Sequence, residues 1–295
     1  MKYVFLICLF CQTLWAKVPD IVVTIKPIHA LVSGVMAGVT EPTLLLPPGT
    51  SPHSFNLKPS QRKAISEADL IVWVGPDLEN VMIQTLKSVP PEKKLKLIDG
   101  ETIRALPYRS PHHHHEHDHD HNHHHALDPH VWINTDFAKL IVQKIEANVV
   151  ELDPEHAATY QANANRLYER LASLKIEIQN RLAPHQQVPF LVYHDAYQYF
   201  ESEFGLQAAT VINANPHAPM SAKKIIELQK IISKRSIHCV CTEPEYGDKI
   251  LNAFEFKDMK HVVLDALGVY QKAPNEDAYF EMMRDLSEQL AECLR

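Results

Sequence analysis

The 295-residue chain contains no Gly-x-Ser-x-Gly, His-Glu-x-x-His or Walker pattern, which removes the commonest hydrolase, zinc-protease and nucleotide-binding signatures. Positive charge is also short. Lys and Arg number 29 against 36 Asp and Glu, a formal net charge of −7 with histidine neutral. Phosphate binding depends on a basic surface, so this balance argues against nucleic acid and suits a protein that attracts cations. Beyond residue 16 no uninterrupted apolar stretch reaches the roughly 20 residues that a membrane span requires. Only three cysteines follow that point, Cys239, Cys241 and Cys293, and no Cys-x-x-Cys is among them, so they are poor zinc candidates. No internal repeat is visible, although the two halves share a β/α rhythm.

What the chain has in quantity is histidine, 19 in all. Ten crowd into one tract: His112, His113, His114, His115, His117, His119, His121, His123, His124 and His125, interspersed with Glu116, Asp118 and Asp120. Imidazole is too polar to pack as core, and each of these carboxylates would need a partner if buried. The tract therefore reads as a solvated loop with the composition of a metal-binding segment. A purification tag would sit at a terminus and rarely alternates His with Asp. Just beyond stands an isolated histidine, His130, in Leu-Asp-Pro-His-Val-Trp.

The first sixteen residues, MKYVFLICLFCQTLWA, carry one Lys, an apolar run and a small residue before a cut. They read as a cleaved secretory signal, too short to span a bilayer comfortably. A lipoprotein signal using Cys8 or Cys11 is the alternative, disfavoured by the large Ile7 and Phe10 before them. In an oxidising compartment a disulfide is expected, with one thiol left over. Cys239 and Cys241 are two apart on an expected strand and face the same side, so either could reach Cys293.

The remaining 45% hydrophobic, 22% charged chain alternates strand and helix signals, the pattern of an α/β architecture with parallel sheets. Strands are expected at 20–25, 43–46, 69–75, 94–99, 188–193, 208–212, 237–242 and 261–264. Asp77 is expected to cap a helix to Ser88, and Asp195 one from Ala196 to Phe204. The longest helical pattern opens at Pro154, with Tyr160, Leu167, Leu171, Leu174, Ile178 and Leu182 on one face. About 29 residues would make a rod of roughly 43 Å, a stiff spine between two lobes. The expected organisation is a signal at 1–16, an N-terminal α/β lobe at 17–152 with a His-rich loop at 111–125, a linking helix at 153–184 and a C-terminal α/β lobe at 185–295.

Four polar residues, His53, His130, His194 and Asp265, each lie where an apolar strand gives way to a loop or in a turn just after one. Ligands of open α/β sheets gather at the carboxyl ends of strands, so two lobes could bring all four to one cleft. Three imidazoles and one carboxylate suit a tetrahedral divalent ion, zinc above all.

The segments Ile25-Lys26-Pro27, Leu-Pro-Pro-Gly-Thr-Ser-Pro-His53, Ala-Asp-Leu-Ile-Val-Trp-Val-Gly75, Asp-Pro-His130-Val-Trp132, His194-Asp-Ala-Tyr-Gln-Tyr-Phe200, Thr-Glu-Pro244 and Leu-Asp265-Ala-Leu-Gly268 resemble those of the zinc-specific solute-binding proteins of bacterial ABC importers (the ZnuA type). These belong to a wider zinc-, manganese- and iron-binding group, and the resemblance covers essentially the whole mature chain. It implies two Rossmann-like lobes with parallel sheets joined by a long rigid helix, with Zn²⁺ held between the lobes as transported ligand. It also implies a membrane permease as partner, a periplasmic location and no catalysis; a monomer is expected. The three histidine ligands fall on His53, His130 and His194. Manganese-type relatives carry a carboxylate at the third position, so His194 favours zinc. Some zinc members place a Glu just before the first histidine, where this chain has Pro52, which leaves Asp265 or a water as fourth ligand. The family's disulfide would fall on Cys239 and Cys293. His217, after Asn215-Pro216, could join tract histidines in an auxiliary site, and Glu243 reads as a structural hydrogen bonder. The competing classes are a manganese- or iron-binding member of the same group, a His-rich metal store or adhesin, and a zinc hydrolase, which would need an open coordination position and a nearby general base.

Overall fold

The computed structural model describes residues 17–109, 127–212, 221–244, 259–272 and 276–295. The leader, the tract from His112 to His125, and His217 lie outside the described residues.

Two four-stranded, all-parallel sheets organise the chain. The first holds β1 (Ile21–Val23), β2 (Thr43–Leu44), β3 (Leu70–Trp73) and β4 (Lys94–Lys96) in the order β2-β1-β3-β4. The second holds β5 (Leu191–Val192), β6 (Thr210–Val211), β7 (Cys239–Thr242) and β8 (Lys260–Val263) in the order β6-β5-β7-β8. The same order occurs twice, so the shared rhythm of the two halves is a shared topology. Registers such as Val22 opposite Ile71 and Val192 opposite Cys241 align the carboxyl ends of the central strands. The central strands β1, β3, β5 and β7 are buried at every residue, as expected of parallel strands covered on both faces.

The helices begin and end where local chemistry dictates. Pro27 lies in the first turn of α1 (Lys26–Val35) and Pro59 in that of α2 (Pro59–Glu67), where a missing N–H costs nothing. Asn134 caps α4 (Thr135–Leu152) by accepting from Phe137 N at 2.9 Å. Gly205 ends α6 (Gln198–Phe204) in the left-handed conformation. Ser221 caps α7 (Ala222–Arg235) through Lys224 N.

Two expected caps do not form. The helix after β3 shrinks to α3 (Met82–Leu86), and Asp77 instead accepts from Leu127 N at 3.4 Å. Asp195 does not cap α6, which starts three residues later, because its carboxylate is taken by Arg109. In both cases a distant donor outcompetes the local backbone.

The long pattern becomes a 3₁₀ turn at Pro154–His156 followed by the 26-residue helix α5 (Ala157–Leu182). All six apolar residues of its expected face are buried. It packs against α1, α4 and the last helix, α8 (Asp277–Leu294). Gly34 permits the approach: a Cβ there would sit 2.9 Å from Glu276 Cβ and 3.0 Å from Leu167. Arg170 joins Asp277 at 2.6 Å and Arg284 joins Glu177 at 2.9 Å, so the spine is braced along its length by the C-terminal helix. Cys239 on β7 and Cys293 in the last turn of α8 form a disulfide, with Cys241 left as a buried thiol. One apolar core runs through both sheets and these helices, with a smaller cluster around Leu191, Ile212 and Val240.

Candidate metal centre

The carboxyl ends of both sheets open into one cleft of about 30 Å³, lined among others by His53, His130, His194, Glu243 and Asp265. That is room for an ion or a water and little more. His53 comes from the Pro-rich loop after β2, His130 from the turn before α4, and His194 from the residues directly after β5. One ring nitrogen from each of the three lies within 4.8 Å of the others. Their ring centroids form a near-equilateral triangle with sides of 5.4, 5.3 and 5.0 Å.

Each ring has a definite aim. His130 is buried, and its Nδ1–H donates to Asp128 Oδ1 at 2.7 Å while its backbone N–H donates to the same oxygen at 2.9 Å. With Nδ1 protonated, Nε2 carries the lone pair, and it faces His53 Nε2 at 3.4 Å. Two imidazole nitrogens tetrahedrally bound to zinc at about 2.05 Å would stand roughly 3.3 Å apart. His194 is equally buried and turns Nδ1 towards Glu243 Oε1 at 3.5 Å.

The electrostatics differ between rings. Burial, aided by the nearby His194, pushes His130 down to about 3, so it is neutral at any physiological pH. Burial also disfavours the charged form of His194, but the carboxylates of Glu243, Asp128 and Asp195 outweigh it and raise its pKa. Burial lifts Asp128 to about 6 against the donors that surround it.

Asp265 lines the cleft but stands outside the group of three. Its Oδ1 accepts from Leu267 N at 3.2 Å and its Oδ2 from Tyr270 N at 2.8 Å, which ties the loop after β8. Lys26, at the start of α1, reaches across to the carbonyls of Gly268 and Gln271 at 2.7 and 2.5 Å and holds the same loop from the first lobe.

Several residues around the cleft were not singled out by sequence. Asp128 carries the signal of an Asp-Pro-His spacing, in which the side chain folds back two residues on. Gln198 Nε2 donates to the second Asp128 oxygen at 2.7 Å. Arg109, the last described residue before the tract, gives Asp195 its backbone N–H at 2.8 Å and its Nε at 2.7 Å, and gives Glu201 Nη1 at 2.6 Å. Nothing local in sequence announces that clamp, because its partners are 86 and 92 residues away. Trp132 Nε1 donates to Ala266 O at 2.7 Å and Tyr279 OH to Trp132 O at 2.8 Å, which stitches the His130 turn to the opposite lobe.

Paired parallel sheets meeting at a histidine-lined cleft, with a long helix alongside, are the architecture of a two-lobed α/β solute-binding protein. The chain belongs to the ZnuA family, described as zinc-uptake complex component A, periplasmic, whose model matches residues 21–293. It is 33% identical to the high-affinity zinc uptake system protein ZnuA of Brucella abortus (strain 2308) over 317 residues, covering 97% of this chain and 95% of that one. It is 29% identical to the protein of the same name from Yersinia pestis, covering 93% and 91%. A ZnuA crystal structure superposes with a TM-score of 0.78 at 22% identity, over 95% of this chain and all of that one. A zinc-bound deletion mutant of ZnuA superposes with a TM-score of 0.77 at 22% identity, over 94% and 98%. The expected two-lobed α/β fold with parallel sheets is thus the observed one.

Proposed function

We propose that this protein captures Zn²⁺ outside the cytoplasm through His53, His130 and His194 and delivers it to the membrane permease of an ABC importer. The observation that carries this reading is the 3.4 Å approach of two imidazole Nε2 atoms inside a triangle of three histidines. Facing nitrogens of this kind are stabilised by a shared cation. Three imidazoles with at most one carboxylate favour zinc over harder ions, which ask for more oxygen. The fourth position belongs to Asp265, once it gives up a backbone hydrogen bond, or to a water. The ion is cargo, so the site holds and releases it without chemistry.

In the same reading residues 1–16 are a cleaved signal and the mature protein is a periplasmic monomer. Lobes 17–152 and 185–295 stand on either side of the linking helix 153–184. Among the described residues no helix is long and apolar enough to cross a membrane, which agrees with a partner that supplies the membrane passage. The tract histidines, with His217, form an auxiliary set that collects metal loosely. Their affinity falls below that of the histidine triangle, whose rings are held in place by two packed sheets.

The test is zinc titration, by calorimetry and native mass spectrometry, of the wild type and of His53→Ala, His130→Ala and His194→Ala. Each variant should lose the tight equivalent. Retention of wild-type affinity by all three would sink the proposal.

A further inference from the structure

The two buried histidines of the cleft are backed by carboxylates of unequal standing. Asp128, behind His130, is saturated: it takes the Nδ1–H and backbone N–H of His130 on one oxygen and Gln198 on the other. Glu243, behind His194, is not. It is 6% exposed, and among the described residues no donor stands within ordinary hydrogen-bond distance of its Oε1. His194 Nδ1 lies 3.5 Å from that oxygen, an ion-pair separation but longer than the 2.7–3.2 Å of an N–H···O bond. A buried carboxylate oxygen left without a donor costs free energy, and the Thr242-Glu243-Pro244 turn nonetheless holds it there, at the carboxyl end of β7, inside the cleft lining.

We propose that Glu243 is the positioning residue of the second lobe: it takes the Nδ1–H of His194 and so fixes the tautomer that leaves Nε2 free for the ion. The inference rests on the zinc-binding reading of the cleft. Its logic is that of Asp128 and His130 repeated on the facing sheet. A ligating imidazole must present a lone pair at one nitrogen, so the proton belongs on the other, and an acceptor there decides which. His130 is locked by its 2.7 Å bond to Asp128. His194 turns the same nitrogen, Nδ1, to Glu243 at 3.5 Å. Each lobe thus backs its buried histidine with one carboxylate. No proton is gained or lost when zinc takes the Nε2 lone pair, because the Nδ1–H stays on the ring.

Competition titration against a chromophoric zinc chelator, on the full mature chain, tests this with Glu243→Ala and Glu243→Gln. Removing an outer acceptor of this kind costs about 10–100-fold in metal affinity, expected for Glu243→Ala, whereas Glu243→Gln keeps an oxygen for Nδ1–H and should lose less. A general loss of structure would not produce that ranking or move a tautomer. Long-range ¹⁵N–¹H correlation spectra of the metal-free wild type, at a pH where His194 is neutral, should show the Nδ1–H form, and Glu243→Ala should shift it towards Nε2–H. The wild-type spectrum stands even if the alanine variant fails to fold. An Nε2–H tautomer in the wild type, or Glu243→Ala binding zinc within about twofold of wild type, would overturn the inference while leaving the three-histidine reading intact. Loss of that reading would appear separately, as unchanged affinity in the histidine variants.

Discussion

Asp128 grips His130 twice through a single carboxylate oxygen, at the ring Nδ1 and at the backbone N–H, two residues on in the chain. The contact fixes the ring and orients its remaining nitrogen at His53. Tyr199 OH donates to the Asp128 carbonyl and accepts from Leu106 N, so the turn that carries this pair is itself anchored to α6.

Asp128→Ala should therefore weaken zinc binding by about 10–100-fold, and Asp128→Asn, which retains an acceptor, by less. Competition titration measures both. Equal affinities in all three proteins would show that packing alone orients His130.

Of the two buried histidines, His194 and not His130 should contribute to the pH dependence of zinc affinity. Zinc needs neutral imidazole, so a proton competes wherever a ligand titrates. His130, at about 3, stays neutral and contributes nothing to the competition near neutrality. His194 has a raised pKa: its competition is absent well above that value and grows as pH falls through it. The onset comes above the reference value of about 6.5, and one displaced proton gives about a tenfold loss of affinity per pH unit. An affinity flat between about pH 7.5 and 5.5 would contradict histidine ligation.

Deletion of residues 112–125 should leave one tight zinc equivalent, because the triangle of His53, His130 and His194 is assembled by the two sheets without the tract. Calorimetry should show the weak equivalents disappear and the tight one persist. Loss of both together would assign the tract a part in the central site.

Arg109 is the cation shared by Asp195 and Glu201, both buried. Removing one partner of a buried ion pair strands charge, at a cost of about 3–5 kcal/mol, so Arg109→Ala should lower the denaturant midpoint sharply. Arg109→Lys should recover only part of it, since an ammonium cannot fork across two carboxylates. Because Asp195 adjoins His194, zinc affinity should fall in parallel. A midpoint shift without any change in affinity would confine the clamp to stability.

The Cys239–Cys293 disulfide closes a loop of sequence separation 54 and pins the end of α8 to β7. Cys293→Ser should cost about 2–5 kcal/mol of stability. Cys241, whose thiol pKa is raised by burial, should resist alkylation in the native protein and react only on unfolding.

How much of this was legible beforehand varies with the range of the interaction. The strands were readable because buried parallel strands need unbroken β-branched runs, and α5 because a packed helix repeats its apolar residues every three or four. Element ends drifted by a few residues, and the caps at Asp77 and Asp195 failed for one reason: a side chain's preferred partner is set by what folding brings near it, here Leu127 and Arg109.

The sequence by itself determined the two-lobed parallel α/β plan, the residues His53, His130 and His194 as strand-end polar groups, and, through resemblance, the family and the cysteine pair. Those features are local patterns or local motifs, which periodicity and turn chemistry impose within a few residues. Only the tertiary structure decided that the three rings share one point, that Asp128 and Glu243 stand behind two of them, and that Asp265 is engaged by its own loop. Those are distances between groups far apart in the chain, His53 and His194 among them, and no local rule sets a distance that the packing of two sheets around a common core must first create.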